Sequence, residues 1–173
     1  ALLFVPRRLL QRIMLRQEDR QMEIRRVVTG HDPQGRSCVL IDDIASNVTS
    51  RRPGHDSRLI WVSDEAPASY DGGEDAGARK IGRPPPKNGT LMRVIEIQPG
   101  VAAEPHFTET VDYVIIMSGE MEMVLDEETA HLKAGDVLVQ RGTSHNWVNN
   151  GPDPCRFAAI LIDAQGTDRA VSG

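Results

Sequence analysis

Two stretches decide how this chain is read: Gly100–Glu120, GVAAEPHFTETVDYVIIMSGE, and Gly135–Asn150, GDVLVQRGTSHNWVNN. In both, glycines punctuate short runs of β-branched and apolar residues, the pattern of strands joined by tight corners. Each stretch delivers one histidine, His106 and His145, and Asp112 follows six residues after the first of them. On a continuous strand the even separations of His106, Thr108 and Asp112 place all three on one face. If that face turns into a small barrel, His145 meets them from a neighbouring strand, and two histidines and a carboxylate share its interior.

The flanking sequence supports a barrel. From Thr90 onward, TLMRVIEI, VDYVIIM, EMEMVLD, TAHLK, DVLVQ and CRFAAILID read as short strands, with turn residues between them and no segment of helical period. Many short, evenly spaced strands predict an all-β sandwich or barrel with a jelly-roll course. Strand parity turns Val114 and Ile116 inward with Asp112, and Tyr113 and Met117 outward. Asn149, four residues after His145, is expected to tie a turn through its side chain. His131, in TAHLK, reads as a surface strand residue.

These residues resemble the cupin superfamily, specifically its single-domain RmlC-like jelly-roll members. The first motif of that family, G-x5-H-x-H-x3-E-x6-G, is matched in spacing by Gly100, His106, Thr108, Asp112 and Gly119. Thr108 stands where the second histidine is expected, and Asp112 where the glutamate is. The second motif, G-x5-P-x-G-x2-H-x3-N, is matched by Gly135, Gly142, His145 and Asn149. The segment before Gly142 is one residue short, and Arg141 stands about where the proline belongs. The resemblance spans residues 90–163 and implies a cupin-type double-stranded β-helix, a jelly-roll barrel.

It also implies a site. Metal-binding cupins use three histidines and a glutamate, of which this chain offers His106, His145 and Asp112. Such a set suits a divalent metal, Fe above all, with Mn, Ni or Zn as alternatives. Aspartate is shorter than glutamate by one methylene, about 1.5 Å, so the strand must shift or a water must bridge for it to ligate. The alternative is a metal-free cupin that binds a small ligand or uses His/Asp acid–base chemistry, with Asp112 orienting a histidine as general base. Thr108, Gln140, Arg141 and Trp147 are the candidate substrate contacts. Arg141 is the expected anchor for a substrate carboxylate, because a guanidinium pairs with one bidentately.

The chain before the barrel divides into two parts. Residues 1–23 carry Leu9, Leu10, Ile13 and Met14 at helical spacing with no Gly or Pro from Arg7 to Met22, predicting an N-terminal helical arm. Residues 24–89 hold extra strands and a long loop packed on the barrel, which occupies residues 90–173. IRRVVTG and SCVLID, joined by HDPQGR, predict a hairpin. His31 and His55 read as solvated turn residues, and RLIWVS as a further strand. Residues 64–88, rich in Gly, Pro and Asp, are expected to form either a lid over a pocket or a wrapped surface arm.

Composition narrows the function classes. With 173 residues, 39% hydrophobic and 26% charged, the chain suits a domain with a substantial core. The net charge of −5 offers no basic footprint, so nucleic acid is not an expected partner. No apolar run approaches the ~20 residues that span a bilayer, so no membrane partner is expected. Cys38 and Cys155 lie in apolar alternating segments without metal spacing, predicting buried reduced thiols and a cytoplasmic protein. The expected function is that of a small-molecule cupin: a metal-dependent oxygenase, decarboxylase or isomerase/dehydratase acting on a small, partly apolar substrate, or a metal-free binder. A homodimer is implied by the resemblance and by sheet edges that a second copy would cover.

Overall fold

The computed structural model describes residues 22–166, which form eleven strands and one short 3-10 turn. The helical arm expected over residues 1–23 lies outside this range except for Met22 and Glu23, which are not helical. Strands β1 (Arg25–His31) and β2 (Ser37–Ile44) make the predicted antiparallel hairpin. Asp32 organises its turn, its carboxylate accepting from the backbone N–H groups of Gln34 and Arg36.

Six strands build the main sheet: β3 (Val48–Arg52), β4 (His55–Ser63), β5 (Thr90–Ile97), β11 (Cys155–Asp163), β6 (Thr110–Ser118) and β9 (Val137–Arg141), paired in that order. Three more build the facing sheet, in the order β10 (Asn146–Val148), β7 (Glu120–Val124) and β8 (Thr129–Lys133). The non-sequential neighbours, with β11 inserted between β5 and β6, are the crossovers of a jelly roll. The fold is the all-β double-stranded β-helix that the motif spacing implies.

The core lies between these two sheets. Met121, Met123 and Trp147 from the smaller one meet Leu59, Leu91, Ile116, Phe157 and Leu161 from the larger. Alternation on β6 holds as parity predicts: Asp112, Val114 and Ile116 are buried, whereas Tyr113, Ile115 and Met117 are exposed. A second cluster, Met22, Val94 and Ala158, packs separately from this core.

Turn chemistry sets the corners. The four motif glycines, Gly100, Gly119, Gly135 and Gly142, all adopt positive φ. At Gly119 the requirement is twofold, since φ is +73° and a Cβ would stand 2.5 Å from the Pro154 carbonyl oxygen. Asn149 is fully buried and ties the loop after β10. Its Nδ2 donates to the Ile97 and Asp153 carbonyls at 2.8 and 2.9 Å, and its Oδ1 accepts from Gly151 N–H at 2.9 Å.

Three local expectations need correction. His55, read as a solvated turn residue, opens β4 instead: residues 48–52 form β3, and Pro53–Gly54 is the turn of a β3–β4 hairpin. Pairing with β4, itself held in the main sheet by β5, overrides the weak strand propensity of these polar residues. Thr110, not His106, opens β6, so no continuous strand joins the first histidine to Asp112. Cys155 is fully buried but Cys38 only partly so, because it lies on the two-stranded β1–β2 sheet.

Replacing Asn149 by alanine strands two carbonyls and one N–H in the interior. The expected cost is about 3 kcal/mol, read as a melting temperature lowered by roughly 10 °C in a thermal scan.

Candidate functional site

The two histidines are brought together by the backbone. His106 and His145 form an isolated antiparallel bridge, in which His106 N–H donates to the His145 carbonyl at 3.0 Å and His145 N–H returns the bond at 2.9 Å. A directly opposed pair of residues projects side chains to the same face. The two rings accordingly sit 4.4 Å apart, tilted by 54°. Behind them Trp147 meets His145 edge-on at 5.7 Å, and Phe157 supports Trp147 at 5.1 Å.

Each ring is oriented by a carbonyl two residues upstream. His106 Nδ1 lies 2.9 Å from the Glu104 oxygen and His145 Nδ1 3.0 Å from the Thr143 oxygen. A carbonyl only accepts, so Nδ1 carries the proton in both neutral rings and Nε2 is the basic nitrogen. Burial holds the His145 pKa below its ordinary value. The Thr143 hydrogen bond opposes this and the positive charge of Arg83 adds to it.

The rings face an open-mouthed cavity of about 100 Å³. Asp112 lines the same cavity from β6, opposite Gln140 of β9 in the sheet. Its carboxyl is buried, and Oδ1 has no hydrogen-bond partner. Desolvation raises its pKa, and the Thr110 hydroxyl pulls it back in part. Thr110 in turn shares a 2.6 Å hydrogen bond with Thr108, which also lines the cavity.

The donor types suit a 2-His-1-carboxylate metal centre, but their placement does not. Among the described residues no three His, Cys, Asp or Glu side chains converge closely enough to hold an ion. His106 and His145 are a pair, and Asp112 stands apart from it on the cavity wall. Backbone carbonyls take the Nδ1 atoms of both rings, so orientation through Nδ1 comes from the main chain.

Of the other expected contacts, Thr108, Gln140 and Trp147 line the cavity and Arg141 does not. Gln140 is buried and its neighbour Arg141 is exposed, since successive residues of β9 face opposite sides. Positive charge comes instead from residues that sequence reading passed over: Arg52 of β3, Arg93 of β5, and Arg83 of the long loop. His55 also lines the cavity, at the start of β4, and is not a solvated turn residue. His131, by contrast, is on the surface as expected. Once β3 and β4 are seen as a hairpin, the signal for Arg52 and His55 is visible as residues flanking its turn.

The loop is a wrapped arm. Asn47 Nδ2 donates to the carbonyls of Gly77 and Arg79 at 2.9 and 2.7 Å. The Arg26 guanidinium pairs with Asp75 at 2.7 Å, and Arg93 donates to the Gly82 carbonyl at 2.7 Å. Ile81 packs on the core. Together these contacts deliver Arg83 to the cavity.

A family model for the cupin domain matches residues 93–162. A cupin-domain-containing oxidoreductase of Aspergillus ruber is 34% identical over 80% of this chain and 71% of its own length. The chain is a cupin. A second cupin-domain-containing oxidoreductase, from Neurospora crassa, is 35% identical over 83% of this cupin and 76% of the relative. Among solved structures, an uncharacterized protein with a double-stranded β-helix domain from Klebsiella pneumoniae matches with a TM-score of 0.49 and 18% identity, covering 70% of this chain and 87% of that one. No helix among the described residues is long and apolar enough to cross a membrane.

The raised Asp112 pKa fixes the sign of a stability effect. The folded state holds this proton more tightly than the unfolded chain, whose aspartate titrates near its ordinary 3.8. Stability therefore declines as pH rises from below that value through the folded pKa. Asp112→Asn should raise the melting temperature at pH 7.5 and leave it nearly unchanged at pH 3.5.

Proposed function

We propose that this cupin is a small-molecule enzyme, an oxidoreductase in the sense of its named relatives, whose own residues contribute substrate binding and proton transfer. The observation that carries this reading is the pairing, in one cavity, of a neutral, carbonyl-oriented His145 with a buried carboxyl group at Asp112. His145 Nε2 is the base that takes a proton from carbon beside a carbonyl, or from a phenol. Asp112, whose pKa burial raises, is the acid assigned to the oxygen on which charge develops, and the His106 ring packs against the base. The product of this step is an enol or enolate, the electron-rich form from which oxidation proceeds.

Phe157, Trp147 and Leu161 provide the apolar part of the wall, and Thr108 and Gln140 are polar anchors. The relatives' names favour a redox reaction, for which this reading takes dioxygen as the electron acceptor. The absence of a three-donor cluster among the described residues favours a second reading, an isomerase in which proton transfer is the whole reaction, or a dehydratase in which proton abstraction is coupled to loss of a protonated hydroxyl as water. Oxygen uptake with phenolic and keto acids, beside elemental analysis for Fe, Mn, Ni and Zn, separates the two. Near-stoichiometric metal, lost in both His106→Ala and His145→Ala, would replace His145 as base with a metal centre.

The two proton-transfer roles have distinct signatures. His145→Asn should lower kcat by about 100-fold or more. The pH profile of kcat/KM should be bell-shaped, and Asp112→Asn, which cannot ionise, should lose the alkaline arm. Wild-type turnover in either variant, or an unaltered profile in Asp112→Asn, rejects the assignment.

A homodimer and a cytoplasmic location are part of the same proposal. Tyr113, Ile115 and Met117 of β6 and Val137 and Val139 of β9 are all exposed on adjacent strands, an apolar face suited to a second copy. Sedimentation equilibrium should give twice the chain mass, and an Ile115→Asp/Val139→Asp variant half of that.

A further inference from the structure

The cavity of about 100 Å³ is smaller than the pockets of roughly 300–1,000 Å³ that enclose organic ligands. Part of its wall must therefore move for a substrate of several heavy atoms to be enclosed there. Most lining residues sit on paired strands, from β3 to β6 and from β9 to β11, and are held by the sheets. The segment from Ala103 to Thr108 is fastened by the His106–His145 and Ala102–Val148 bridges. That leaves Arg83, which comes from the arm, a stretch without strands. Its charge acts on His145, so the arm contributes its part of the wall near the histidines.

The arm is gripped at its 3-10 turn, Ala76–Ala78. The Arg26 guanidinium holds two carboxylates at once. Nε and Nη2 donate to Asp43 of β2 at 3.0 and 2.7 Å, and Nη1 and Nη2 donate to Asp75 of the arm at 2.7 and 2.8 Å. Asp75 also caps the turn, accepting from Gly77 N–H at 2.9 Å. Gly77 lies flush on the guanidinium, where a Cβ would collide with Nη1. The arm thus helps to bury Arg26 beneath its own backbone. Further along, Asn47 holds the Gly77 and Arg79 carbonyls, Ile81 packs on the core, and Arg93 holds the Ile81 and Gly82 carbonyls. Gly72 and Gly73, each with open space where a Cβ would stand, precede this fastened stretch, and Pro84–Pro86 stiffen the chain after it.

We propose that residues 74–83 are a strap that opens as one unit to admit substrate, and that the Arg26–Asp75 pair is its latch. Charge-assisted bonds from one guanidinium make this the strongest grip on the strap. The other grips from the hairpin side and the barrel are hydrogen bonds to carbonyls and one apolar contact. Because the grips follow one another along a short stretch, loosening one shifts the opening equilibrium of all. Arg26 is a positioning residue: it acts on the site through the strap that carries Arg83.

This inference rests on reading the cavity as the site, but it is tested without substrate, so the two can fail separately. Diethyl pyrocarbonate, which acylates accessible neutral imidazoles, is applied to the full chain at neutral pH, and each histidine is followed by mass spectrometry. The buried His145 reports opening of the cavity, and His131, on the surface, is the internal control. Wild type, Asp75→Asn, Arg26→Gln and Asp43→Asn are compared, each first shown to melt cooperatively. Asp75→Asn keeps a side chain able to cap the turn and removes only the strap's half of the latch. The His145 rate relative to His131 should rise about tenfold in Asp75→Asn and Arg26→Gln, and stay near the wild-type value in Asp43→Asn. Amide exchange at Gly77 and Ala78 should quicken by a similar factor, while β5 and β11 keep their protection.

An unchanged His145 rate in both Asp75→Asn and Arg26→Gln overturns the latch. Equal acceleration in Asp43→Asn, or lost protection in β5 and β11, would show general weakening of the fold and overturns it too. Faster exchange at Gly77 with no gain at His145 would mean that the strap opens without uncovering the cavity, and rejects the gating role. If the strap behaves as expected while His145→Asn and Asp112→Asn leave turnover intact, the strap stands and the proton-transfer reading falls.

Discussion

Everything at this site depends on one backbone contact, the two-hydrogen-bond bridge between His106 and His145. It lies outside the long strands, in segments that would otherwise be loop. It nevertheless fixes the two Cα atoms opposite each other and forces both rings to one side. The carbonyls of Glu104 and Thr143 then choose the tautomer of each ring from within the same two segments. Main-chain geometry thus places the pair and orients both rings.

Burial governs the chemistry. Asp112 and His145 are shifted in opposite directions by the same cause, loss of water from around the charged form. Burial thus moves both groups toward their neutral forms, the direction on which the proposed exchange of a proton depends. In the full cupin motif the positions of Thr108 and Asp112 carry metal ligands. Here the first is a hydroxyl hydrogen-bonded to Thr110, and the second is a shorter acid held away from the histidines. The fold has kept its corners at the four glycines while these two wall positions differ from the motif.

Charge reaches the cavity by another route, through the arm over residues 64–89. Its Gly- and Pro-rich composition left it without strands or long helices, but not without anchors. Asn47, Arg26 and Arg93 fasten it at separate points to the hairpin and barrel. Each is a side chain satisfying loop polar groups that the barrel surface would otherwise leave dry. An arm pinned in this way carries Arg83 to the cavity on a supported backbone.

The sequence by itself determined the barrel and the main residues of the site. Alternation in β6, glycines at four corners and the motif spacing of His106, Asp112 and His145 are local properties, set by strand period and by φ. Asn149 was legible for the same reason, since its hydrogen bonds close a turn near it in sequence as well as reaching Ile97. What the tertiary structure alone decided is whatever depends on separation across the fold. Whether Asp112 joins the histidines is a matter of ångströms between a strand and a loop bridge, and spacing along the chain does not carry that distance. Arg141 and Gln140 differ by one residue and hence by one face, so the anchor depended on which parity β9 adopts against β6. Arg52, His55, Arg83 and Arg93 come from β3, β4, the arm and β5, and no pattern within any one segment shows that they meet. Convergence of distant segments is a property of packing, and there the positive half of the cavity was made.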